Sequence, residues 1–198
     1  EKYPVYYLTG FIIWTMFTGA TNAAMTTLVD NKTMLIKVKF PMRIFVMSRV
    51  YTALVNLLYS LIPYIGILIF FKVSISWTII LYPVIIAFLL MFSLGFSYIL
   101  SVAYVFFGDV KHLYSVLLTL WMYCSAIFYP VDMLPEFVRE LIVVNPIFVY
   151  INCAREVVMY NQVPNTIEII RLLLWSLGIF ILGTIIFEKN KNNVMQKM

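Results

Sequence analysis

Charged residues are spaced along this chain in a way that no water-soluble helix or strand permits. Residues 73 to 108 contain no Asp, Glu, Lys or Arg across 36 consecutive positions, and shorter charge-free runs occupy 3–29, 50–71, 113–131 and 172–187. An α-helix rises ~1.5 Å per residue, so ~20 residues cross the ~30 Å hydrocarbon core of a bilayer. The pattern predicts five membrane spans, at about 6–28, 50–71, 78–107, 112–131 and 167–187. The third run is long enough to tilt, and Pro83 and Gly95 are positions where it can kink. Glu168 and Arg171, three apart at the edge of the last run, are spaced to pair.

Composition agrees with that pattern. Of 198 residues, 63% are hydrophobic and 12% charged, with a mean hydropathy of +0.95. A soluble domain averages ~45–50% apolar and ~25% charged residues. The apolar runs continue to the C-terminus, which excludes a signal peptide or single anchor on a soluble domain. The net charge of +5 does not point to nucleic acid, because the basic residues lie between the runs.

Their distribution sets an orientation. Segments 30–49, 108–111 and 188–198 hold nine Lys and Arg against three acids, a balance of +6. The opposite segments hold five against six, a balance of −1. The first set is expected in the cytoplasm, which leaves the N-terminus outside and the C-terminus inside. An outside start, in a chain that begins at Glu1, suggests that a span precedes it.

Several chemistries lack their residues. No Gly is followed by Lys, so no phosphate-binding loop of the nucleotide hydrolases is present. Cys124 and Cys153 show no metal-ligand spacing, and Cys124 is expected to be a small buried hydrophobe. No acid or base stands near the middle of a predicted span, where ion-coupled carriers keep them. If the protein drives transport, its energy must therefore come from a partner.

Two segments between spans stand out. Segment 30–49 is basic yet carries Met34, Leu35, Ile36, Val38 and Phe40. Asp30 or Asn31 can cap a short helix that Pro41 ends. Such a helix suits either an interfacial position on the membrane or a groove on a cytoplasmic partner. Segment 129–166 is broken by Pro130, Pro135 and Pro146 into pieces too short to span. Glu136–Val144 and about 147–160 fit two half-helices dipping back from the outer face, or an external loop resting on the surface. Glu136, Arg139 and Glu140 fall on one side of the first piece, and Leu141, Val144 and Phe148 are expected to pack against the spans. Aromatic residues make 17% of the chain. Tyr6, Tyr7, Trp77, Tyr82 and Tyr129 suit an interfacial belt. Trp14, Tyr104, Trp121 and Tyr123 lie inside runs, where they either pack or line a path on which sugar rings can stack.

Three motifs occur in order. Lys37-Val-Lys-Phe-Pro-Met-Arg43 resembles the cytoplasmic K-x-x-F-P element of ABC-2 type permeases. Phe107-Gly-Asp-Val-Lys-His-Leu113 resembles their F-R-D-V-x-H element. Ser125-Ala-Ile-Phe-Tyr-Pro-Val-Asp-Met-Leu-Pro135 with Asn145-Pro146 resembles their S-P-I-F-Y-P … L-P … N-P signature. Gly108 and Ala126 depart from it. The chain is thus similar, over nearly its whole length, to the membrane subunits that export lipid-linked polysaccharide, including O-antigen and teichoic acid exporters.

The resemblance implies an all-α, type V exporter bundle, one domain of five spans here and six in the family, with a cytoplasmic coupling helix and re-entrant outer helices. It implies a homodimer in the bacterial plasma membrane, bound to a cytoplasmic ABC ATPase that carries ATP and Mg, with no cofactor on this chain. Asn31, Lys32, Met34, Leu35, Lys37, Lys39, Phe40, Pro41 and Arg43 would couple to the ATPase. Arg49, with Trp14, Tyr104, Trp121 and Tyr123, would meet the headgroup or chain of a polyprenyl-diphosphate-linked glycan. Tyr129, Pro130, Pro135, Glu136, Phe137, Arg139, Glu140, Leu141, Asn145 and Pro146 would form an outer gate. Phe107, Asp109, Lys111 and His112 form the second cytoplasmic motif. The competing readings are an ABC-2 exporter of drugs or small lipids, and a membrane enzyme acting on lipid-linked sugars through Asp132, Glu136, Glu140 or Glu156.

Overall fold

A computed structural model describes residues 2–198, and among these the regular structure is entirely helical. The chain runs through α1 (Tyr3–Met25), α2 (Thr27–Asp30), α3 (Lys32–Lys37), α4 (Met42–Phe70), α5 (Leu81–Phe106) and α6 (Val110–Tyr123). It continues through α7 (Glu136–Val144), α8 (Pro146–Val158) and α9 (Thr166–Lys197). A 3-10 turn, Trp77–Ile80, leads into α5, and another, Val131–Met133, precedes α7.

Three elements are long and apolar enough to cross a membrane: α4, the continuous Trp77–Phe106 unit, and α9. The pair α7 and α8, bent by 95° at Asn145, adds a broken span or a re-entrant segment. The first predicted span is one helix of 23 residues, long enough to cross but less apolar than the others. Its threonines return their hydroxyl protons to the preceding turn: Thr9 to Val5 O at 2.7 Å, Thr15 to Phe11 O at 2.8 Å and Thr21 to Phe17 O at 2.9 Å. That local bonding lets a polar helix persist where no water competes.

The fourth predicted span differs from the expectation. Helix α6 stops at Tyr123 after 14 residues, about 21 Å, short of a bilayer. Pro130 bars helix at Tyr129, and Ala126 takes a left-handed φ of 52°. Residues 124–130 are therefore a non-helical segment. This also exposes Cys124, expected to be buried, whereas Cys153 is buried.

Helix α1 is the hub, packed against α4, α5 and α8, and the most extensive pairing is α5 with α9. Gly95 serves that pairing. Helix α5 is unbroken through Gly95, and Pro83 sits near its start, where a missing N–H costs little. A Cβ on Gly95 would stand 2.5 Å from Ile179 O, so the two backbones touch. At the end of the bundle that holds α2 and α3, Leu28, Leu35, Met42, Val46, Phe187 and Val194 form a second apolar cluster, expected on the cytoplasmic side from the charge pattern. Beside it Arg43 Nε donates to Glu188 Oε1 at 2.5 Å, joining the start of α4 to the end of α9. Arg171 forms no ion pair with Glu168, whose Oε1 instead accepts from Asn152 Nδ2 at 2.6 Å.

Candidate functional site

The least ordinary surface is a trough along α1. Thr15, Gly19 and Asn22 recur at helical spacing and are exposed, with Thr18 half-buried beside them. On one flank, α4 presents exposed Thr52, Asn56 and Ser60; on the other, α6 presents exposed Ser115 and Thr119. Between α1 and α4 lies a hollow of about 220 Å³ lined by Thr15, Gly19, Asn56 and Ser60. Between α1 and α6 lies one of about 280 Å³ lined by Trp14, Thr18, Asn22, Ser115 and Thr119. The Thr52, Ser60 and Thr119 hydroxyls donate to their own helices, at 2.9, 2.9 and 3.2 Å. The side-chain amides of Asn56, at the midpoint of α4, and Asn22 find no hydrogen-bond partner among the described residues. An unpaired amide in hydrocarbon costs several kcal/mol, roughly 2–7 by transfer data, so this face requires water, sugar or protein against it. Arg49 on α4, and Lys111 and His112 on α6, stand one turn before the two flanking stripes and give that end of the trough a basic mouth. Arg49 Nε also reaches Thr27 Oγ1 at 3.4 Å.

The predicted aromatic path is brought only partly to this trough. Trp14 lines its α6 side. Trp121 instead packs against Trp14, Phe17 and Phe96, and its Nε1 donates to Asn145 Oδ1 at 2.7 Å. Tyr104 is half-buried in the helix core. Tyr123 is exposed at the C-terminal end of α6, its ring tilted against Phe128.

The segment expected to couple forms one short helix, α3, directly after α2, with one correction. Leu35 is 3% exposed, held in the cytoplasmic cluster, while Met34 is 51% and Phe40 52% exposed. Leu35 therefore anchors the segment to the bundle and cannot face a partner. Ile36 and Val38 are exposed beside Lys32, Lys37 and Lys39, and Pro41 opens α4. Asn31 does not cap α3 with its side chain; its Nδ2 donates back to Thr27 O at 2.7 Å. Of the second cytoplasmic motif, Phe107, Asp109, Lys111 and His112 are all exposed around the tight turn between α5 and α6.

The outer segment also differs in detail. Helix α8 is embedded, with ten of its thirteen residues buried, rather than resting on the surface. Helix α7 lies across it. Ile142 and Phe148 turn inward, whereas Phe137, Leu141 and Val144, at 72%, 59% and 60% exposure, do not pack against the spans. Glu136, Arg139 and Glu140 are exposed as expected, and Arg139 Nη2 donates to Asp132 O at 3.1 Å. Asn145 is the joint. Its Oδ1 accepts from Ile147 N at 3.1 Å, capping α8, and from Trp121 Nε1. Its Nδ2 donates to Cys124 O at 3.0 Å and Ser125 Oγ at 3.1 Å. The Tyr129 hydroxyl donates to Tyr123 O, while Pro130 and Pro135 bracket the 3-10 turn.

One residue that sequence reasoning placed merely among the outer charges is Arg155. It is 2% exposed, inside α8. The signal that could have found it is a lone charge in the run 147–155, which is apolar but for Asn152.

Comparison with known proteins fits this architecture. Residues 3–163 match the ABC-2 type transporter family. The chain belongs to that family. It is therefore a multi-pass transport permease of the membrane. It is 25% identical, over all of its length and 76% of the relative's, to the O-antigen export system permease protein RfbA of Myxococcus xanthus. Two proteins of the same name from Klebsiella pneumoniae are each 29% identical, over 96% of this chain and 73% of theirs.

Proposed function

We propose that this chain is the permease of a polysaccharide export system in the bacterial plasma membrane. It carries a lipid-linked glycan outward while a separate cytoplasmic ATPase supplies the energy. The observation that carries this reading is the uncharged trough of Thr15, Thr18, Asn22, Thr52, Asn56, Ser60, Ser115 and Thr119. Hydroxyls and amides exchange hydrogen bonds with sugar hydroxyls as readily as with water, and no fixed charge holds a passing chain in place. The relatives' names support the same substrate class.

A second copy of the chain closes the trough into a path, because one copy leaves Asn22 and Asn56 unpaired. The basic mouth of Arg49, Lys111 and His112 attracts the diphosphate of a polyprenyl-linked glycan. Met34, Ile36, Val38 and Phe40, ringed by lysines, dock in the ATPase, and Arg43 and Leu35 fix that segment to α9 and the bundle. ATP binding moves this segment, and α1, α4 and α6 shift with it. Helices α7 and α8 form the outer gate.

The test is surface polysaccharide in cells that lack the permease and receive it back. Asn56→Leu and Thr119→Trp, one removing an unpaired amide and one filling the trough, should each abolish surface glycan while the ATPase still co-purifies. Normal glycan from both variants would reject the trough as the path. Normal glycan in cells without the permease would reject the substrate class.

A further inference from the structure

The Arg155 guanidinium, in the last turn of α8, is buried with no carboxylate of the described residues in ion-pair range. Its Nε and Nη2 donate to Tyr6 O at 3.3 and 3.2 Å. Its Nη1 donates to Ala126 O at 2.9 Å, and Nη2 also to Ile127 O at 3.3 Å. Its Cζ lies over the Tyr6 ring, 3.4 Å from the centroid. Four of the five N–H donors thus go to carbonyls, and the Tyr6 π-face lies against the cation. Carbonyls following the C-terminus of α6, and the C-terminal turn of α8 itself, supply the negative partial charge that a carboxylate would otherwise give.

Three separate stretches meet on this one side chain: the first turns of α1, the non-helical segment 124–130, and the embedded helix α8. The same seam carries Tyr3 Oη donating to Phe128 O at 2.8 Å and Tyr6 Oη donating to Tyr129 O at 3.0 Å. Gly10 completes the site, since a Cβ there would stand 2.8 Å from Arg155 Nη2. A lysine cannot replace this arrangement, because an ammonium has no planar fork to bridge three carbonyls.

We propose that Arg155 is the positioning residue that latches the outer gate shut at rest, by bonding α8 to α1 and to segment 124–130. The latch deepens the export reading, and it opens when the outer end of α1 separates from both α8 and segment 124–130 during a transport cycle. Breaking it exposes carbonyls and a cation together to entering water, so the open state is solvated once formed, while the shut state is dry and stable.

The test uses the full permease with its ATPase, reconstituted in phosphatidylethanolamine–phosphatidylglycerol vesicles loaded with carboxyfluorescein. Arg155→Lys removes the fork. Gly10→Ala keeps Arg155 and displaces only the flexible end of its side chain. Both should raise dye efflux without ATP by roughly tenfold or more, the effect of losing one charge-assisted hydrogen bond, while ATPase association is retained. Wild-type tightness in both assembled variants would overturn the latch. Should neither assemble, Tyr3→Cys with Phe128→Cys, in a Cys124→Ser background, decides the matter with Arg155 in place. Bridging that pair with a cleavable bis-maleimide should stop export until the bridge is cut, and continued export while bridged would overturn the proposal. Efflux does not depend on the glycan: raised efflux from the vesicles, together with surface glycan in cells that ignores the permease, would keep the latch and reject the substrate.

Discussion

The backbones of Gly95 and Gly183 are in direct contact: a Cβ added to Gly183 would stand 2.1 Å from the Gly95 carbonyl oxygen. Nothing on either residue can give way, because the obstructing atoms are main chain. Gly183→Ala must therefore separate α5 from α9, at a cost of about 1–3 kcal/mol or more from overpacking. Gly178, on the same helix, has no atom within 4 Å of its absent Cβ, and Gly178→Ala should be neutral or slightly stabilising through helix propensity. Melting of the purified permease in detergent checks both. Equal melting of the two variants would contradict the close contact.

The coupling segment should separate into two kinds of position. Met34→Asp with Phe40→Asp alters exposed side chains, so ATPase co-purification should fall while the melting temperature holds. Leu35→Asp buries a charge in the cytoplasmic cluster and should lower the melting temperature even without the ATPase, by several kcal/mol of stability or about 3–5. A Leu35→Asp protein that melts normally would show that Leu35 faces outward.

Asn145 should prove more than a helix breaker. Asn145→Ala removes the α8 cap and strands Trp121 Nε1, Cys124 O and Ser125 Oγ, at about 1–3 kcal/mol. Asn145→Asp keeps both acceptor bonds, loses the two donated ones and sets a carboxylate oxygen against Cys124 O. Amide hydrogen exchange in 146–150 should quicken in both variants. Unchanged exchange there would mean that packing alone holds the bend.

Sidedness follows from the +6 against −1 division of charge. In the Cys124→Ser background, a cysteine at Asn192 should react with an impermeant maleimide only from the cytoplasm, and one at Asn165 only from outside. Both positions are exposed. The reverse labelling would invert the bundle and place the Arg49–Lys111 mouth at the outer surface.

Gly95 and Arg155 mark the boundary of what sequence alone decides. Charge-free runs, their lengths and the proline positions determined the helical class, the membrane, three full spans and the broken outer segment. These are properties of consecutive residues, and burying a helix in lipid needs no knowledge of its neighbours. The three motifs likewise carried the family. Tertiary structure decided which face of each element is covered. Only there does Gly95 become a contact rather than a kink, Leu35 an anchor rather than a docking residue, and Leu141 an exposed side chain where Ile142 is buried. The trough joins residues from α1, α4 and α6 that are scattered from Thr15 to Thr119. Arg155 finds its carbonyls 28, 29 and 149 positions away. In a chain this apolar, nearly every helix face is hydrophobic enough to be buried, so hydrophobic pattern cannot choose among them. Backbone proximity and the demand of each buried polar group for a partner make that choice, and both are set by the packed bundle.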